Sequence, residues 1–79
     1  MREILERIAG GVEKAEPTAH CRIDPFSCQI IVSFDRRSDV EISLLTPMAQ
    51  SQVTRGKLDR DLYSEMLFSV RKIANFKTV

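Results

Sequence analysis

Cysteine and histidine are the residue types best suited to hold a zinc ion or to form a catalytic thiol–imidazole pair, and this chain has few of them. The sequence has two cysteines, Cys21 and Cys28, and one histidine, His20. A structural zinc site takes four such ligands, and the sequence has no Cys-x-x-Cys pair. His20 and Cys21 are neighbours on a predicted strand, so their side chains point to opposite faces and cannot form a catalytic pair. We therefore expect no metal site and no cysteine nucleophile.

The two cysteines could still meet, depending on how the strands that carry them pair. If Ile23 pairs with Phe26 across a two-residue loop, Cys21 lies opposite Cys28, close enough for a disulfide. A four-residue turn instead pairs Cys28 with Ile23 and separates the two thiols. Both pairings place the thiols on the core face of the sheet. For a cytosolic protein, the sequence favours two buried free cysteines.

The remaining candidates for chemistry are weaker. Asp35 and Asp39 flank the tip of a predicted hairpin and could touch a cation, but aspartates at such positions more commonly form the turn itself. The sequence has no glycine-rich phosphate loop and no Ser/His/Asp arrangement. We expect a protein that is not an enzyme, with no catalytic residues and no cofactor.

Basic residues form two small groups that could bind the phosphates of RNA or DNA. The order helix, three strands, helix resembles that of double-stranded-RNA-binding domains, in which basic residues at the start of the second helix contact phosphates. Asp59 and Asp61 are interleaved with the second basic group and weaken its field. Nucleic-acid binding is therefore the alternative hypothesis. Its residues are Arg36 and Arg37 at the hairpin tip, and Arg55, Lys57 and Arg60 at the start of the long helix.

Three large apolar residues are predicted to lie on polar faces. Helical spacing of 100° per residue puts Phe68 on the side of the long helix opposite its apolar stripe. Strand alternation puts Ile31 and Leu45 on the outer face of the sheet. A large aromatic among charged residues is a candidate interface anchor. We predict a protein-binding surface made of Phe68, Ile31 and Leu45 with Arg71 and Lys72 as its rim, and the simplest partner is a second copy, giving a homodimer.

Alternation and helical periodicity predict the elements that carry these residues. Ile4, Leu5, Ile8 and Val12 share one helical face, and Gly10-Gly11 either end that helix after Ala9 or let another element approach closely.

The central hairpin pairs Phe34 with Val40, Val32 with Ile42 and Ile30 with Leu44, all on one face. A preceding strand covers Ala19–Ile23, and Asp24-Pro25-Phe26-Ser27 forms the turn that follows it. The alternation of the second strand runs from Phe26 to Phe34. Beyond the hairpin we predict a connector at Met48–Gly56, with room for one helical turn, and then a main helix at Leu58–Phe76.

These elements give an α+β fold in the order αβββα, with both helices stacked on the one apolar face of a three-stranded antiparallel sheet. The 79 residues suffice for one domain, and 43% apolar and 29% charged residues are typical of globular proteins. A net charge of +1 gives no strong long-range field. No segment approaches the roughly 20 apolar residues that cross a bilayer, and the charged start is not a secretory signal, so we expect a cytoplasmic protein without a membrane partner. The initial Met1 suggests a complete small open reading frame.

The functional expectation is a protein-protein interaction module that occupies a partner surface. Small stand-alone regulators and inhibitors, including those carried by phages and mobile elements, often have this size and character. That expectation follows from the small size of the chain rather than from any particular motif.

Overall fold

The computed structural model describes residues Met1–Phe76, which form three helices and one three-stranded antiparallel sheet. This confirms the predicted α+β class, with one helix more than expected. The sheet order is β1-β2-β3, and the chain order is αβββαα. The elements are α1 (Arg2–Ala15), β1 (Ala19–Asp24), β2 (Gln29–Phe34), β3 (Arg37–Ser43), α2 (Pro47–Thr54) and α3 (Arg60–Ala74).

The first helix lies on the sheet and runs through both glycines. Its apolar face, with Leu5, Ile8 and Val12 fully buried, packs against β1 and β2. A Cβ at Gly11 would overlap the hydroxyl end of the Tyr63 side chain on α3, so a larger residue here would require that ring to move. The helix does not end at the glycines, and close approach of another element, the second role predicted for them, is found at Gly11.

The first hairpin has a register that differs from both expected pairings. Ile23 pairs with Ile30, and Cys21 pairs with Val32. The shift moves each partner by an even number of residues, so the side chains keep their predicted faces. Asp24 caps the turn, since its Oδ1 accepts hydrogen bonds from the backbone N–H groups of Phe26 (3.1 Å) and Ser27 (3.4 Å).

Strand β2 begins later than the alternation predicts, which corrects the placement of Phe26. Phe26 and Cys28 belong to the turn, and Cys28 adopts a left-handed backbone conformation with φ 52°. Phe26 is therefore 101% exposed instead of buried in the sheet. The alternation is correct only from Ile30 onward, where Ile30, Val32 and Phe34 are buried.

The second hairpin keeps the predicted register away from its tip. Val32 pairs with Ile42, and the N–H of Leu44 donates to the carbonyl of Ile30 at 2.9 Å. Near the tip the register shifts between Ser33 and Phe34, so Phe34 pairs with Arg37. The expected pairing of Phe34 with Val40 is wrong, because β3 begins inside the segment predicted as the turn.

The predicted exposure of Leu45 is also wrong, since this residue is only 4% exposed. Strand β3 ends at Ser43, so the alternation that would turn Leu45 outward no longer applies. The side-chain amide of Gln29 makes hydrogen bonds to both main-chain polar groups of Leu45. Its Oε1 accepts from the Leu45 N–H at 2.5 Å, and its Nε2 donates to the Leu45 carbonyl at 3.0 Å. These bonds hold the main chain just after the end of β3, and Leu45 joins the core.

Helix α2 replaces the expected connector. Thr46 is its N-cap, with a side-chain oxygen that accepts from the Ala49 N–H at 3.2 Å, and Pro47 occupies the first turn. Both residue types favour a helix start at these positions. Ala49 and Val53 are buried, so α2 contributes to the core.

Helix α3 packs against α1 and completes the same core. Asp59 caps its N-terminus by accepting from the Asp61 N–H at 2.7 Å. Met66 and Val70 are buried, and α3 contacts α1. Side chains from all three helices and from the inner face of the sheet form one cluster. None of the helices described for Met1–Phe76 is long and apolar enough to span a bilayer.

Candidate functional site

The outer side of α3 carries a stripe of exposed residues with Phe68 at its centre. Met66 and Val70 point into the core, and each is about 160° around the helix from Phe68 at 100° per residue. Phe68 is 69% exposed as a result. The predicted position of this side chain on the solvent face is confirmed. The stripe, called the α3 stripe below, consists of Asp61, Ser64, Glu65, Phe68, Arg71, Lys72 and Asn75, all exposed.

Charge changes sign along the α3 stripe. Its two acids, Asp61 and Glu65, lie on the N-terminal side of Phe68, and its two bases, Arg71 and Lys72, lie on the C-terminal side. This order favours the helix dipole, which attracts acids to the N-terminus and bases to the C-terminus. The two ends of the stripe therefore differ in charge, because the half before the Phe68 ring is acidic and the half after it is basic.

The C-terminal half of the α3 stripe borders an open surface depression. Its described lining comes from α3 and its C-cap residue Asn75, and it includes Leu67, Phe68, Arg71 and Lys72. Arg71 and Lys72, predicted as the rim of a contact, therefore lie beside Phe68 on the same surface. Asn75 stabilises the end of the helix here, because its Nδ2 donates to the carbonyl of Arg71 at 2.7 Å.

A second exposed aromatic follows the helix. Phe76 is 57% exposed, and the guanidinium of Arg37 stands 5.3 Å from the centre of its ring. Arg37 also donates to the Phe76 carbonyl, so one arginine holds both the ring and the main chain. This contact ties the tip of the central hairpin to the end of α3.

Ile31 lies on a different side of the molecule from Phe68. It alternates with the buried Ile30 and Val32, so it faces away from the helices, and it is half-buried. One continuous contact cannot include both the outer face of the sheet and the outer side of α3. The three-residue surface predicted from the sequence is therefore wrong as a unit, since Leu45 is buried and Ile31 faces away from the helices.

The basic residues of the alternative hypothesis lie in two separate places. Arg36 and Arg37 adjoin the C-terminal end of α3, where they line a depression with Asn75 and Phe76. Arg55 and Lys57 line another depression in the segment before α3, and Arg60 is the first residue of that helix. A helix of 15 residues separates the two groups by about 22 Å. The structure does not combine the five residues into one phosphate-binding patch.

Cys21 and Cys28 are free thiols, and Cys28 Sγ lies 3.8 Å from the Gln50 carbonyl, against α2. Burial, with a smaller contribution from the Glu13 carboxylate, raises the pKa of Cys21 to about 11. A thiol with this pKa stays protonated at neutral pH and is a poor nucleophile.

His20 pairs with Asp35 on the exposed face of the sheet, with Nε2 and Oδ1 2.6 Å apart. The Asp35 carboxylate, predicted as a weak cation ligand, therefore contacts the His20 ring instead. Across residues Met1–Phe76, no cluster of three or more His, Cys, Asp or Glu side chains is placed to bind a metal ion.

Phe26 is an exposed aromatic that the sequence reasoning assigned to the core. The turn that carries it is held from two sides, because Asp24 caps it and Gln50 of α2 donates to the carbonyls of Ser27 (3.0 Å) and Cys28 (3.1 Å). The predicted turn Asp24-Pro25-Phe26-Ser27 already contains Phe26, so beginning the predicted strand after that turn would have placed Phe26 outside the sheet.

Comparison with known proteins adds no functional information. No protein-family profile, curated protein or solved structure matches this chain.

Proposed function

We propose that this protein is a non-enzymatic protein-interaction module that occupies a partner surface through the α3 stripe. The observation that carries the proposal is the position of Phe68, a large aromatic 69% exposed at the middle of a helical face with charged neighbours. Aromatic side chains surrounded by polar residues are typical anchors of protein interfaces. Ile31 and Leu45 have no part in this contact.

The energetics of such a contact depend on Phe68. Burying a phenylalanine side chain stabilises a complex by about 1.5–3 kcal/mol. Arg71 and Lys72 lie at the edge of the same surface, where charges set orientation and association rate more than affinity. Leu67, half-buried next to Phe68, extends the apolar area.

The scaffold supports the proposal because it holds the stripe rigidly before binding. Met66 and Val70 anchor the opposite side of α3 in the core, and Tyr63 packs on Gly11 of α1. A surface that is already ordered loses little conformational entropy on binding. A small chain that offers one such surface suits a stand-alone regulator or inhibitor, and its free thiols suit the cytoplasm.

The test compares Phe68→Ala with Phe26→Ala, since both remove an exposed phenylalanine. We expect both variants to fold with melting temperatures close to that of the original protein. Only Phe68→Ala weakens self-association in sedimentation or the capture of partners from a cell lysate, by tenfold or more for a loss of about 1.4 kcal/mol. If Phe68→Ala changes neither sedimentation nor capture and lowers the melting temperature, Phe68 acts in folding and the proposal fails.

A further inference from the structure

We infer that the occupant of the α3 stripe is a second copy of this chain, paired with the first through antiparallel α3 helices about Phe68. This inference rests on the proposed function and names its partner. The argument comes from the order of charges along the stripe, where acids precede Phe68 and bases follow it. A partner that matches this order must present the reverse order, and the same helix turned end over end presents it.

Helical geometry pairs specific residues in this arrangement. Glu65 lies three residues before Phe68 and Lys72 four residues after it, about 4.5 Å and 6 Å along the axis. Both are displaced to the same side of Phe68, by about 60° and 40° around the helix. A two-fold axis through the Phe68 pair therefore sets Glu65 of each copy beside Lys72 of the other, and the ion pair forms twice.

The other side of the stripe is compatible with the same arrangement. Ser64 and Arg71 are displaced about 40° and 60° in the opposite direction from Phe68, so the symmetry axis sets them facing each other. The Ser64 hydroxyl can accept a hydrogen bond from the Arg71 guanidinium of the other copy. Charges of like sign do not face each other on either side, and the two phenylalanine rings meet at the centre.

Other pairings conflict with the charge order. A parallel pair of α3 helices would set Lys72 of each copy beside Arg71 of the other and Glu65 beside Ser64, so that like charges meet and no acid faces a base, which is destabilising. A uniformly acidic partner would match Arg71 and Lys72 but repel Asp61 and Glu65. A nucleic acid or anionic membrane surface meets the same repulsion, because two acids and two bases in the stripe cancel in net charge.

Charge reversal tests this pairing directly. In Glu65→Lys, both ion pairs become contacts between lysines, and in Lys72→Glu, both become contacts between glutamates. We expect each variant alone to dimerise at least about tenfold more weakly than the original protein. Mixing the two variants brings lysines at 65 and 72 of one chain against glutamates at 72 and 65 of the other. The expected result is a heterodimer of near-original affinity, measured by sedimentation equilibrium of the mixture.

Matched controls separate pairing from net charge. Glu41→Lys on β3 and Lys57→Glu before α3 make the same charge changes at exposed positions outside the stripe. We expect both to dimerise like the original protein, and a mixture of them to behave as its components do. Circular dichroism melting of each variant checks that it is folded.

Two results would overturn the inference. One is an original protein that stays monomeric up to about 1 mM, where the free energy of association is only about −4 kcal/mol. The other is a dimer whose charge-reversed variants show no gain on mixing. If partner capture from lysate still depends on Phe68 in either case, the proposed function stands and only the identity of the partner is wrong.

Discussion

The side chain of Tyr63 on α3 lies directly against Gly11 on α1, in space that a Cβ atom at residue 11 would occupy. The contact joins the first and last helices, and it holds in place the helix whose outer side carries Phe68. Gly10, the next residue along α1, has no atom within 4 Å of the position where its Cβ would stand. Gly10 therefore has room for a methyl group, whereas a methyl group at Gly11 fits only if the Tyr63 ring moves.

Alanine substitutions at the two glycines should change stability in opposite directions. Gly10→Ala gains helix propensity at an open position, so we expect the free energy of unfolding to rise by about 0.5–1 kcal/mol. Gly11→Ala makes the same propensity gain but forces the Tyr63 ring to move, and overpacking of this kind costs about 1–3 kcal/mol. We expect a net loss for Gly11→Ala in urea unfolding.

A double-mutant cycle identifies the cause of that loss. Tyr63→Phe removes the hydroxyl, which is the atom nearest to the site of the new methyl group. Gly11→Ala should cost less in this background than in the original protein. An equal cost in both backgrounds would mean that Tyr63 is not the source of the strain.

The exposed Phe26 and the buried Phe34 give a second pair of expected outcomes. Phe26 is 101% exposed at the β1–β2 turn, so Phe26→Ala should change the free energy of unfolding by less than about 0.5 kcal/mol. Phe34 is 4% exposed, and Phe34→Ala should cost about 3–5 kcal/mol. Urea unfolding of both variants measures the difference. A large loss for Phe26→Ala would place this ring in the core after all.

Periodicity accounts for much of what the sequence predicted correctly. Helical spacing fixes the face on which Phe68 lies, whatever α3 packs against. Strand alternation likewise assigns Ile30 and Val32 to the core. The observed register of the first hairpin differs from the predicted pairings by an even number of residues, so each side chain stays on its predicted face. Helix α2 could also have been predicted, because Thr46 and Pro47 are start signals in the sequence.

The errors arise where a strand or helix depends on contacts distant in the sequence. Alternation does not show where a strand begins or ends, so Phe26 was assigned to β2 and Leu45 to the continuation of β3. The side chain of Gln29 binds the main chain of Leu45 just after β3, and the Tyr63 ring of α3 lies against Gly11. Neither pairing has a signal in the local sequence.

The Gln29 side chain should be important for stability because it satisfies the main chain at the end of β3. It accepts from the N–H groups of Leu45 (2.5 Å) and Ile30 (3.1 Å) and donates to the Leu45 carbonyl (3.0 Å). Gln29→Ala leaves these groups unpaired in a partly buried site, which costs about 1–3 kcal/mol. Urea unfolding should show that loss.

Gln29→Glu is the informative comparison. A glutamate keeps the acceptor oxygens for both N–H groups but cannot donate to the Leu45 carbonyl. We expect a smaller loss than for alanine at neutral pH. The interpretation fails if alanine and glutamate are both as stable as the original protein.

The raised pKa of Cys21 predicts slow alkylation and a stability that falls at alkaline pH. Burial disfavours the thiolate, and the Glu13 carboxylate, whose Oε2 accepts from the Cys21 N–H at 3.1 Å, adds a smaller repulsion. The pKa of about 11 exceeds the value of about 8.5 for an unfolded cysteine. Between these values the unfolded chain has lost the thiol proton while the folded chain keeps it, so stability decreases as pH rises from about 8.5 to about 11.

Two measurements check this prediction. Iodoacetamide should modify Cys21 slowly at pH 8, as measured by peptide mass mapping, because cleavage after Arg22 separates Cys21 from Cys28. Glu13→Gln keeps an acceptor for the Cys21 N–H but removes the negative charge, so it should speed the reaction modestly while burial keeps the rate below that of an unfolded peptide. In urea unfolding, the loss of stability above pH 8.5 should be smaller in Cys21→Ala than in the original protein. Equal losses in the two proteins would show that other groups cause the alkaline destabilisation and that Cys21 titrates normally.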